Sequence, residues 1–162
     1  TRTICEAQGM SEEQLELATM AGILHDTGKL VIIARYPDLY EKALSISRNN
    51  RIPMIEVERD VIEITHDQIG GTLLEKWNLP NTIIECAVFH HEIENCVNDS
   101  FSINTAVYLA NLLDTCLCCS LTDGYNAPPD TDLISTYHIM DTWQKMRQNL
   151  MPNEFLEPAY VA

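Results

Sequence analysis

The chain has 162 residues, of which 46% are hydrophobic, and it contains only 6 Gly and 7 Pro. This composition excludes a disordered segment and predicts one folded domain, mainly helical because tight turns are few. Asp and Glu number 24 against 10 Lys and Arg, which gives a formal net charge of −14. That charge repels nucleic acids and anionic membranes, so we expect neither as a partner, although a bound metal ion would reverse the sign locally.

The cysteines disfavour two further classes of protein. There are six of them: Cys5, Cys86, Cys96, Cys116, Cys118 and Cys119. A secreted domain held by disulfides would be smaller and richer in Cys, and a zinc finger would need a second ligand pair. We interpret them as small buried thiols in a reducing compartment. With no signal peptide and no apolar run of 18 residues, the chain is expected to be cytoplasmic.

The first helices are predicted from capping signals and glycines. Residues 1–8 resemble the last turns of a helix that Gly9 ends, and the chain does not begin with Met, so we expect protein upstream. Ser11 with Gln14 three positions later forms a capping-box pattern. Apolar residues at helical spacing follow, and Gly28 is predicted as the C-terminal stop of this helix.

The middle of the chain continues in helical patterns. The apolar run Leu30–Ala34 fits a strand or a helical turn, and its helical surroundings favour the turn. Pro37 is typical of a first helical position, and Pro53 begins another helix. Thr65 with Gln68 three positions later repeats the capping box.

The remaining helices complete an all-α prediction. The glycine pair Gly70–Gly71 permits close approach of a neighbouring helix. The next helix ends at His90–His91, Ser102 begins a long one, and a last helix is predicted over residues 132–150. The sequence therefore predicts a single all-α domain, 1–162, that is a bundle of roughly seven helices.

Several polar residues interrupt these apolar helix faces and helix ends. They are His25, Asp26, His66, His90, His91 and Asp114. A buried Asp is costly unless it is paired or bound to a cation. Nitrogen and carboxylate ligands without a thiolate suit iron, manganese, zinc or nickel. The pattern indicates a site for one or two divalent transition-metal ions.

Spacing within the pattern suggests roles in phosphoester chemistry. Adjacent residues on a helix point about 100° apart, so one member of His90–His91 can face one ion while the other faces a second ion or a phosphate. Asp26 could bridge two ions, which would orient and acidify a water for attack on phosphorus. Lys29 could neutralise a phosphate oxygen. Asp26 and Lys29 are therefore the predicted catalytic residues.

Each of these residues has a simpler interpretation when it is taken alone. A single His on an apolar face is more often a hydrogen-bonded core residue, and His25–Asp26 could be a capped helix end. His90–His91 could be half buried and half solvated, and Asp114 could satisfy a buried backbone donor or a Tyr. Only the joint pattern favours a shared polar site.

Two stretches resemble a known family. The segment 22–30, Gly-Ile-Leu-His-Asp-Thr-Gly-Lys-Leu, resembles the HD motif of the HD superfamily of metal-dependent phosphohydrolases. The segment 66–80, with its Gly-Gly and Trp-Asn-Leu-Pro, followed by His90–His91, is more specific. It resembles the HDOD subfamily, a bacterial signalling branch often attached to receiver or other sensory domains. The resemblance covers about residues 4–150.

The resemblance implies a ligand set and partners. The implied metal ligands are His25, Asp26, His66, His90, His91 and Asp114, with phosphate contact by Lys29. It also implies an HD-type helical bundle, an upstream receiver or sensory domain, a nucleotide or phosphate ligand, and possible assembly as a homodimer.

Two departures from the wider family matter. Metal-binding members carry a further ligand on the helix before the HD motif, whereas residues 1–8 contain no His. The cyclic-dinucleotide phosphodiesterase branch has Gly-Tyr-Pro after its His-His-Glu; here Gly124-Tyr125 is distant and precedes Asn126. Cyclic-di-GMP hydrolysis is therefore not implied. Two functions stay open: a metal-dependent phosphohydrolase acting on a nucleotide or other phosphoester, or a non-catalytic domain that relays a receiver's state through protein contacts.

Overall fold

The computed structural model describes residues 1–93 and 101–123 (side chains to Asp114), with Thr142 and Lys145. Within these ranges the chain forms eight α-helices and no strand. The helices are α1 (Arg2–Ala7), α2 (Glu12–Leu24), α3 (Thr27–Arg35), α4 (Pro37–Asn50), α5 (Met54–Val61), α6 (His66–Lys76), α7 (Asn81–Phe89) and α8 (Ile103–Asp123). The predicted all-α bundle is confirmed. The predicted helix over 132–150 and the side chains of Cys96, Cys116, Cys118 and Cys119 lie outside the described part.

The capping residues that the sequence predicts form hydrogen bonds at the starts of two helices, α2 and α6. The Ser11 N–H donates to Gln14 Oε1 at 3.0 Å, and the Gln14 N–H donates to Ser11 Oγ at 3.4 Å. The Thr65 N–H likewise donates to Gln68 Oε1 at 3.4 Å. These bonds satisfy backbone donors that a helix start leaves unpaired. Leu30–Ala34 lies within α3, so the helical interpretation of that run is confirmed.

The main hydrophobic core joins α1, α2, α6, α7 and α8. Its completely buried members include Ala18 and Ala21 of α2, Leu74 of α6, Ile83 of α7 and Ala106 of α8. Burial of apolar side chains gives about 25 cal/mol per Å², and here it fixes α2 and α7 side by side. Both helices end at the same place, where α2 leads into His25 and α7 into His90.

Gly28 does not end a helix, and that prediction is wrong. Helix α2 ends at Leu24, and Gly28 lies inside the first turn of α3. A Cβ at Gly28 would lie 1.8 Å from the His66 carbonyl oxygen and 2.8 Å from the Gly70 nitrogen. Glycine is therefore required for close packing. The predicted close approach at the glycine pair is confirmed, because a Cβ at Gly70 would lie 3.3 Å from the Gly28 nitrogen. Asp26 is thereby held against the start of α6.

The lack of an apolar run of 18 residues predicts that no segment crosses a membrane. The stretch Glu12–Arg35, which spans α2 and α3, is an exception by length and composition. It is 24 residues long and contains an 18-residue window with a mean hydropathy of 1.3, which passes the test of length and composition. One such helix is weak evidence for a membrane span, because core helices of soluble proteins pass the same test. In the described structure this stretch is interrupted by a turn at His25–Asp26.

Candidate metal centre

The end of α2, the start of α3, the start of α6 and the end of α7 meet in one cluster. It contains five of the six predicted ligands, in two groups that share His90: His66 with His90 and His91, and His25 with Asp26 and His90. Within each group the ligand atoms all lie within 4.8 Å of one another. Three separate segments of the chain, His25–Asp26, His66 and His90–His91, thus contribute to one site.

The distances in this cluster are those of ligands around a single ion. His66 Nε2 lies 3.2 Å from His90 Nε2 and 2.9 Å from His91 Nε2. Asp26 Oδ1 lies 3.4 Å from the Nε2 atoms of both His66 and His90. Ligands about 2.1 Å from a metal ion are separated by about 3.0 Å at right angles and about 3.4 Å in a tetrahedron. Asp26, His66 and His90 therefore have suitable spacing for one ion, and His91 lies at ligand spacing from His66.

Backbone carbonyls orient two of the imidazole rings. His90 Nδ1 lies 2.9 Å from the Ala87 carbonyl oxygen, and His25 Nδ1 lies 2.9 Å from that of Gly22. Because a carbonyl can only accept, Nδ1 must carry the hydrogen in both rings. In a neutral ring of this tautomer, Nε2 presents its lone pair. Each carbonyl precedes its histidine by three residues, so the helix end itself sets the tautomer.

Acceptor atoms consequently face one another in the middle of the cluster. His66 Nδ1 lies 2.6 Å from a carboxylate oxygen of Glu58, which leaves the Nε2 lone pair of a neutral His66 directed at His90. Asp26 Oδ1 is buried and has no hydrogen-bond donor among the described residues. An unsatisfied buried oxygen beside imidazole lone pairs is unfavourable without a cation. The donor set therefore fits a divalent transition metal.

The electrostatics keep the ligands in the forms that bind metal. Burial alone would raise the pKa of Asp26, but the Lys29 ammonium, 2.7 Å from Oδ2, and the positive charge of the surroundings outweigh it and hold that pKa well below its usual range. Burial, with further contributions from His90 and His66, lowers the pKa of His91 to about 2. Burial also lowers the pKa of His25. Near neutral pH, Asp26 is an anion while His25 and His91 are uncharged, as metal binding requires.

Lys29 forms an ion pair with Oδ2, the other carboxylate oxygen of Asp26. Its Nζ lies 2.7 Å from Asp26 Oδ2, and His25 Nε2 lies 3.5 Å from the same atom. The side chains of Lys29 and Asp26 are both partly exposed, so this ion pair is accessible from solvent. A phosphate group that enters from solvent would meet this cation first.

Asp114 is not brought into the cluster. Its side chain is exposed, and it belongs to neither ligand group. The buried face of α8 includes Ala106, Leu109 and Leu113. Buried Val107 precedes Asp114 by seven positions, which places Asp114 about 20° from it on the same face of α8. Asp114 therefore lies on the predicted stripe, but its own side chain is exposed there, and its assignment as a ligand stays a prediction.

Glu58 is part of the site and was missed by the sequence interpretation. Its side chain is completely buried in α5, and one carboxylate oxygen contacts both the backbone N–H and the ring of His66. Glu58 sits on a helix between exposed Glu56 and exposed Arg59, where a charged residue is normally solvated. The sequence signal for its burial is that apolar Ile55 and Val57 precede it on the same helix. They place Glu58 next to a buried face.

The lowered histidine pKa values predict how stability depends on pH. Unfolded His25 and His91 take up protons below about pH 6.5, whereas folded His91 stays neutral and burial lowers the pKa of folded His25, so the unfolded state binds more protons and stability falls with falling pH. The free energy of unfolding of metal-free protein should fall between pH 6 and 5. His91→Gln should reduce that slope by about 1.4 kcal/mol per pH unit. Asp26 does not affect the slope between pH 6 and 5, because the stability that its lowered pKa contributes is lost only below about pH 4.

Urea unfolding at several pH values in the presence of a chelator measures these slopes. An unchanged slope in His91→Gln would show that His91 is not held neutral by the fold.

The cluster can be compared with known proteins. The family model described as HDOD domain matches residues 1–93. A protein of Treponema pallidum (strain Nichols), described as an uncharacterized protein, is 28% identical over 93 residues, which make up 57% of this chain and 18% of that protein. The chain thus spans less than a fifth of the relative's length. No solved structure matches it. Since the family match covers more than half of the chain and includes Glu58 and all five clustered ligands, the chain belongs to the HDOD domain family.

Proposed function

We propose that this HDOD domain binds a divalent transition metal (iron, manganese, zinc or nickel) and uses it to hydrolyse a phosphoester, as the HD superfamily of phosphohydrolases does. The observation that carries the proposal is Asp26 Oδ1, a buried oxygen with no hydrogen-bond donor among the described residues. It lies 3.4 Å from Nε2 of both His66 and His90. A metal cation in the middle of the cluster would satisfy all three atoms at once.

The residues in the site would have different roles in such a reaction. Asp26, His66, His90 and His91 would hold the ion, which when bound supplies Lewis acidity and lowers the pKa of a water. His25 contacts Asp26 Oδ2 and stays neutral because of its burial. Lys29 would release Oδ2 in part and bind a phosphate oxygen, stabilising the negative charge that develops on the phosphoryl oxygens. A nucleotide is the proposed substrate class, with other phosphoesters as the alternative.

A second function is favoured by the position of Lys29. Its ammonium, 2.7 Å from Asp26 Oδ2, covers the oxygen that a bridging carboxylate would offer to a second ion. Two-metal hydrolysis would then lack its shared ligand. In this alternative the domain is a cytoplasmic, non-catalytic relay, and its metal site stabilises one arrangement of the helices that an upstream receiver or sensory domain reads through protein contacts.

Replacing Lys29 separates the two functions. In metal-loaded protein, Lys29→Met should lower kcat/KM for a nucleotide or a nitrophenyl phosphoester at least about tenfold, because one charge-assisted hydrogen bond is worth about 1.5–3 kcal/mol. Metal content should persist, since Lys29 is not a ligand. Turnover is followed by release of phosphate or nitrophenolate.

Lys76→Met is the matched control, since Lys76 is exposed at the end of α6, and it should retain full activity. Wild-type protein that binds metal yet hydrolyses none of these phosphoesters would contradict catalysis and leave the relay function.

A further inference from the structure

Glu58 is a completely buried carboxylate that makes two hydrogen bonds to one residue. Its Oε2 accepts from the His66 backbone N–H at 2.8 Å and from His66 Nδ1–H at 2.6 Å. Both side chains are 0% exposed. The first bond satisfies a free N–H at the start of α6, while the second fixes the ring of a predicted metal ligand.

One residue in the described part of the chain forms an ion-pair contact with Glu58. Its Oε1 is buried and has no hydrogen-bond partner among the described residues. In the same part of the chain its ion-pair contact is His66. An uncompensated carboxylate in the interior is strongly unfavourable. A positive charge on the far side of the His66 ring would offset that cost through the ring.

We propose that Glu58 is a positioning residue for the metal site. It holds His66 as the Nδ1–H tautomer, directs Nε2 towards Asp26 Oδ1, and makes Nε2 a stronger electron donor. This inference rests on the proposed metal-binding function. A carboxylate behind a ligating histidine is worth about 10–100-fold in metal affinity in other sites, and the two bonds at 2.6 and 2.8 Å provide that geometry here.

A purely structural role would need only the bond to the backbone N–H. Glu58→Gln distinguishes the two roles, because its amide oxygen can still accept one bond but carries no charge. Titration with Zn²⁺ alone should show a dissociation constant about 10–100 times higher than that of the wild type. Glu56→Gln, on the exposed side of α5, should bind Zn²⁺ like the wild type. Equal affinities in Glu58→Gln and wild type would overturn the proposal.

The tautomer of His66 provides a readout that does not need the metal. Nitrogen-15 chemical shifts of the His66 ring in zinc-free protein should show Nδ1–H in the wild type and a substantial Nε2–H population in Glu58→Gln. The same single tautomer in both would overturn the positioning role. If the wild type binds no Zn²⁺ but its tautomer depends on Glu58, the proposed metal function fails while the positioning role stands.

Discussion

Asp26→Asn should abolish the gain in stability that a saturating transition metal gives the wild-type protein. A ligand that binds only the folded state at 1,000 times its Kd adds about 4.1 kcal/mol. For a domain of this size that corresponds to a rise in Tm of about 8–16 °C. The substitution removes the anionic Oδ1 that lies 3.4 Å from two imidazole nitrogens. We therefore expect at most a degree or two of metal-dependent shift in the variant.

Thermal unfolding with and without Zn²⁺ or Mn²⁺ measures this difference. Asp38→Asn is a matched control, since Asp38 is an exposed carboxylate in the first turn of α4, and it should show the full shift. A variant Asp26→Asn that is stabilised as much as the wild type would show that the ion binds elsewhere.

Gly28→Ala should produce the largest loss of stability in the metal-free protein, about 3 kcal/mol or more. The new methyl group would lie 1.8 Å from the His66 carbonyl oxygen, which is backbone and cannot rotate away. Helices α3 and α6 would have to separate. The same movement would draw Asp26 away from His66, so metal affinity should fall with stability. Urea unfolding and Zn²⁺ titration measure the two effects.

Gly22→Ala controls for the intrinsic effect of adding a methyl group to a helix. The three atoms nearest to its Cβ would belong to the Thr1 side chain, the closest being Oγ1 at 2.6 Å, and this hydroxyl can rotate away, so we expect a change within about 1 kcal/mol. Similar losses in Gly28→Ala and Gly22→Ala would rule out tight α3–α6 packing as the device that assembles the site.

The clustered ligands could be predicted because their signal is local. His25–Asp26 and His90–His91 interrupt apolar helical patterns at helix ends, and His66 follows a capping residue. Polar residues placed where burial is expected are informative without any knowledge of the tertiary structure. Helix number and type follow from the same periodicity and from the capping residues.

The sequence was less informative at residues whose environment is determined by tertiary contacts. Gly28 fits both a helix end and a close contact, and only the position of His66 across from it distinguishes these. Asp114 lies on the same face of α8 as buried Val107, and whether its own side chain is covered depends on the neighbouring helices. Glu58 looks like any charge on an amphipathic helix until α6 is placed beside it.

Metal content is the most direct test of the site. Chain reconstituted separately with iron, manganese, zinc and nickel, desalted and analysed for metal should retain about one ion per chain for at least one of them. His66→Gln and His90→Gln, folded as judged by circular dichroism, should retain none. Wild-type chain without a bound ion, or variants that retain as much metal as the wild type, would contradict a metal centre at Asp26, His66, His90 and His91.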